Sequence, residues 1–81
     1  MKMDEMAILL RSAGVEENTV TFAINIYEMG FEHGSRAYKE LTTAIENARD
    51  VCEYVDKEKF DKAKEATQLF WKSMKYVEDM Q

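Results

Sequence analysis

The sequence predicts an all-α fold of one domain over residues 1–81. Three observations carry that expectation. Proline is absent, which removes the main obstacle to long helices. Apolar side chains recur at alternating steps of three and four residues, the spacing of one helix face. Glycine, the other common helix breaker, occurs only at Gly14, Gly30 and Gly34.

The first helix is expected over about residues 3–13. Met3, Met6, Leu10 and Ala13 fall on one face, Asp4 and Glu5 favour its start, and Gly14 suits its stop. The stretch Thr19–Ile26 is ambiguous by pattern. Val20, Phe22, Ile24 and Ile26 alternate as in a strand, whereas Thr21, Asn25, Glu28 and Glu32 form a polar line at helical steps. The helical reading is preferred because no other segment offers a strand partner.

From there a single register runs on. Ala23, Tyr27, Gly30, Gly34, Ala37, Leu41, Ala44, Ala48, Val51 and Val55 follow at steps of four and three without a phase slip. That predicts one helix over about residues 17–55, roughly 58 Å long at 1.5 Å per residue. Two glycines at about 1 kcal/mol each mark Gly30–Gly34 as the place for a kink or break. Gly30 and Gly34 also form a GxxxG, which in a soluble helix points to close packing.

Asp56 is the expected cap of a last helix over about residues 57–79. Phe60, Ala63, Thr67, Phe70, Met74 and Val77 form its main stripe, and Ala66, Leu69, Ser73, Tyr76 and Met80 a weaker one. The short turn before it folds this helix antiparallel onto the long one. The result is a coiled-coil-like hairpin, with Phe60, Phe70 and Met74 filling the seam against small residues.

The net charge is −5, concentrated in the first 56 residues. An acidic chain is a poor direct ligand for DNA or RNA phosphates. No apolar run approaches the roughly 20 residues of a membrane span, and no charged-then-apolar leader opens the chain. Cys52 is the sole cysteine, so no disulfide forms within one chain, which suits a reducing compartment. The expected location is the cytoplasm, away from membranes.

Residues suited to chemistry are few. His33 is the only histidine, and Gly30 stands where a di-iron Glu-x-x-His pattern would need a glutamate. No metal site or cofactor is expected. Cys52 lies next to Val51 on the apolar register and reads as a small core residue rather than a nucleophile. No catalytic residues are assigned, and the chain is not expected to be an enzyme.

Three surfaces remain. A rod of that length outruns the short first helix. Val20, Phe22, Ile24, Ile26, Tyr27, Gly30, Phe31 and Gly34 are then expected to be uncovered and to mediate self-association. Glu46, Asp50 and Glu53 line one helix face and offer a charged strip to a basic partner. Arg36, Tyr38, Lys72 and Lys75 are expected to come near one another where the last helix returns past the long one, a place for a small anionic ligand.

The leading functional expectation is a non-catalytic, oligomeric helical module that binds, and inhibits or regulates, another protein. In size, acidity and lack of catalytic groups the chain looks like the very short helical inhibitors that phages and mobile elements direct at host enzymes. Two other readings stay open. One is an oligomeric sponge for nucleotide-like ligands, with pockets between subunits. The other is a structural assembly unit.

Overall fold

The computed structural model describes residues 3–30 and 36–81, and every regular element within them is an α-helix. Helix α1 spans Met3–Ser12 and α2 spans Glu17–Met29. Helix α3 runs over Arg36–Asp56 and α4 over Phe60–Asp79. No helix among the described residues is long and apolar enough to cross a membrane.

Acidic Asp4 and Glu5 open α1 and Arg11 closes it, each complementing the helix dipole. The helix ends in a Schellman stop. The Val15 N–H donates to the Leu10 carbonyl and the Gly14 N–H to the Arg11 carbonyl, both at 3.0 Å. Gly14 takes φ +91°, where a side chain would be strained. Val15 follows it into the same apolar cluster as Leu10. Across the corner, Arg11 grips Glu17 through its Nε and Nη2, with the shortest contact at 2.6 Å. The ambiguous Thr19–Ile26 stretch is helical, within α2.

The single helix expected over 17–55 is two helices. α2 stops at Met29, and Gly30 takes φ +71° and ψ −175°, an extended conformation no helix contains. The Gly30 N–H still reaches back, to the Ile26 carbonyl at 3.2 Å. A β-carbon built on Gly30 would meet nothing within 4 Å. Among the described residues this glycine serves a backbone turn, and nothing there packs closely against it. Phe31, His33 and Gly34 lie outside the described residues. The unbroken register has a plain physical origin: α2 and α3 each bury one face, and two such stripes can share a phase without sharing a helix.

The second corner also departs from expectation. Asp56 does not cap the last helix; it ends α3. The Lys59 N–H donates to the Tyr54 carbonyl at 2.8 Å and the Glu58 N–H to the Val55 carbonyl at 3.0 Å. This is a second Schellman stop, but its left-handed position holds Glu58 at φ +59° rather than a glycine. Helix α4 consequently begins at Phe60, whose ring is 62% exposed and does not enter the seam.

The α3–α4 hairpin is the framework, as the sequence predicts. Ala44 and Ala48 on α3, and Ala63 and Ala66 on α4, are buried. α1 and α2 pack on one side of this hairpin. Met6 and Leu10, Val20 and Ala23, Leu41 and Ile45, and Met74 and Val77 are sealed into one shared cluster. The apolar face of α2, expected to be uncovered, is thus largely internal. Val20, Ala23 and Ile26 are buried, while Phe22, Ile24 and Tyr27 are partly buried against the same core. Cys52, expected inside, is exposed, because the buried face of α3 ends at Ala48.

Candidate functional site

Packing α1 and α2 on one side leaves the opposite side of the α3–α4 hairpin open. Two adjoining hollows of about 450 and 300 Å³ run along it and share Asn47, Asp50 and Leu69. Helix α3 supplies Glu40, Thr43, Glu46, Asn47, Asp50 and Tyr54 at successive turns. Helix α4 supplies Lys62, Glu65, Ala66, Leu69, Lys72 and Ser73. The helical repeat brings both sets to one groove, since residues three and four apart share a face.

The groove carries mixed charge with an acidic excess. Glu40 is weakly paired to Arg36 at 3.9 Å. Glu46, Asp50 and Glu65 take part in no ion pair among the described residues. Lys62 lies over the Tyr54 ring at 5.9 Å, within range of a cation–π contact. Leu69 stands in the middle, 49% exposed between polar neighbours. Ser73 lies at the bottom, only 6% exposed. Its hydroxyl has no hydrogen-bond partner among the described residues. Ser73 borders the larger of the two hollows.

The acidic strip read from the sequence is therefore divided. Glu46 and Asp50 line the groove, whereas Glu53 does not. Glu53 accepts a hydrogen bond from the Lys57 ammonium at 2.7 Å, and that bond, reinforced by the charge, holds its carboxyl below the ordinary range. Leu69, Ser73 and Glu40 were not singled out as site residues. The weaker stripe of α4 already carried Leu69 and Ser73, and that was the available signal.

The residues expected to hold an anion meet different neighbours. The Arg36 guanidinium sits over the Tyr76 ring at 4.7 Å. Tyr38 stacks on Tyr27 with ring centroids 6.1 Å apart. Lys72 lines the groove beside Glu40, Glu46 and Asp50, which oppose an anion. Lys75 is exposed and borders neither hollow.

A smaller apolar cleft of about 210 Å³ lies between the end of α1 and the α3–α4 pair. Leu9, Ala13, Ala48, Val51, Phe70 and Trp71 form most of its wall, with Cys52 at one edge. Thr67 also borders it, but its hydroxyl is committed to the Ala63 carbonyl at 2.8 Å. Among the described residues no group of three or more His, Cys, Asp or Glu side chains is placed to hold a metal ion.

None of the protein-family models, curated proteins or solved structures compared with the chain matches it.

Proposed function

We propose that this chain is a non-catalytic helical module that binds another protein through the open side of its α3–α4 hairpin and regulates that protein by occupying it. The observation that carries the reading is the groove itself. The two longest helices present it uncovered, with the carboxylates of Glu46 and Asp50 in no ion pair among the described residues and Leu69 exposed between them. Most of the other large apolar side chains on α2, α3 and α4 are spent on the internal core.

The reading does not depend on self-association. The expectation of an oligomer rested on the apolar face from Val20 to Gly34, of which the chain itself buries Val20 and Ile26 and covers Phe22, Ile24 and Tyr27 in part. Sedimentation velocity is expected to give a species near the chain mass of 9.5 kDa. A dimer would return Phe22 and Met29 to consideration as a contact.

The direct test compares affinity capture by the wild-type chain and by the double variant Glu46→Lys/Asp50→Lys, followed by calorimetry on any protein retained. A partner held by the wild type, released by salt and lost by the double variant is the expected result. Identical retained proteins for both chains would refute the assignment of the groove. A nucleotide that raised the melting temperature by several degrees would favour the small-ligand reading instead.

A further inference from the structure

We infer that the occupant of the α3–α4 groove is a basic amphipathic helix of the partner protein, with Lys or Arg side chains flanking one apolar residue. The inference rests on the protein-binding reading and adds the chemistry of what is bound.

Charge gives the sign. Four carboxylates border the two hollows, Glu40, Glu46, Asp50 and Glu65, against two ammonium groups, Lys62 and Lys72. Among the described residues only Glu40 of these carboxylates has a cation within reach, Arg36 at 3.9 Å. The other three are exposed and are offered to groups outside the chain.

Ser73 is a second, independent pointer. It is 6% exposed, it lines the larger hollow, and its hydroxyl lacks an intramolecular partner among the described residues. An ammonium or guanidinium entering between Glu46 and Asp50 donates to the carboxylates and finds an acceptor oxygen on the floor. A carboxylate entering the same place meets two like charges. Leu69 provides the apolar contact that fixes the height of the visitor above the groove.

Length gives the shape. From Glu40 to Tyr54 the α3 wall runs about 21 Å at 1.5 Å per residue. A helix of roughly four turns covers it, laid between α3 and α4 as a helix lies in a groove. Cations three or four residues apart on that helix face successive carboxylates on α3.

The test uses a displayed library of helical peptides of unbiased charge, about 18 residues long, selected on the folded wild-type chain. Selected peptides are then measured on three variants whose helicity is first checked by circular dichroism. Glu46→Lys/Asp50→Lys removes the acidic wall. Asp56→Lys/Asp79→Lys makes the same change in charge at two helix C-termini outside the groove. Ser73→Ala removes only the floor hydroxyl.

The expected outcome is enrichment of net-positive sequences with a central Leu, Ile or Met. Their affinity falls at least about tenfold on the first variant and changes little on the second. It falls about three- to tenfold on Ser73→Ala, the range for one net hydrogen bond. Peptides that are neutral or acidic, or that bind the first variant as well as the wild type, would overturn the basic-helix assignment while leaving protein binding intact. Failure to enrich any peptide overturns this inference as well. The protein-binding reading falls separately, if affinity capture retains nothing that distinguishes the groove variant.

Discussion

Replacing Glu58 with glycine is expected to stabilise the fold. Glu58 occupies the left-handed position of the α3 stop at φ +59°. For a residue with a β-carbon that conformation costs about 1–2 kcal/mol. Glycine escapes the cost but loses more freedom on folding, which takes back about 0.4–1 kcal/mol. The side chain offers nothing to set against this, since Glu58 is exposed and in no ion pair among the described residues. The net gain is then about 0.5–1 kcal/mol. For a domain of this size 1 kcal/mol moves the melting temperature by about 4–8 °C, so the expected rise is about 2–8 °C. Thermal unfolding followed at 222 nm measures it. Glu58→Ala is the control, because alanine keeps the β-carbon and removes only the charge; it is expected to change little. A glycine variant with normal helicity and no gain would show that the turn does not hold the left-handed geometry. Equal gains for alanine and glycine would assign the effect to charge instead. The first corner supplies the converse: Gly14→Ala, at φ +91°, is expected to lose about 1–2 kcal/mol.

Three further outcomes are expected. Leu41→Ala empties a fully buried position at the junction of the hairpin with α1 and α2, and urea unfolding should show a loss of about 2–5 kcal/mol; a loss below 1 would mean the core is not sealed there. The Glu17 carboxyl is held low, chiefly by the hydrogen bond from Arg11, with its charge adding to the effect. Its contribution to stability is therefore present above the ordinary value of 4.5 and is lost as pH falls through the depressed folded value. Both partners are exposed, so Glu17→Gln should flatten only a small part of the acid limb, and NMR titration of the carboxyl should find it below the ordinary glutamate range. Cys52 should react with a disulfide reagent in the native state, one thiol per chain, without denaturant. Protection until unfolding would contradict its exposure.

The helices were legible to different depths. α1 could be read almost to its ends, because acidic residues, an apolar stripe and Gly14 agree on its limits. The α3–α4 hairpin was legible from Leu41, Phe70, Met74 and their spacing, which reflect real burial. The break after Met29 was not, because periodicity records which faces are buried and is silent about continuity between two faces in phase. The start of α4 was misplaced for a related reason. A Schellman stop normally announces itself by glycine, and here Glu58 fills that position. Cys52 and Phe60 follow the apolar spacing yet lie outside, since the last turn of α3 and the first of α4 extend past the core. Of the groove, Glu46 and Asp50 could be read from their spacing. Leu69 and Ser73 could not be weighed until α1 and α2 were seen to cover only one side of the hairpin.

The cleft beside α1 gives the chain an internal optical gauge. Trp71, the only tryptophan, stands in its wall at 37% exposure, across from Leu9, Ser12 and Ala13. Withdrawal of α1 would move the indole from a partly apolar setting into water and red-shift its emission. A nitroxide carried on Cys52, at the edge of the same cleft, would quench that light as a function of distance. Undocking of the first helix can thus be timed in the native chain, separately from melting of the hairpin, with no foreign fluorophore.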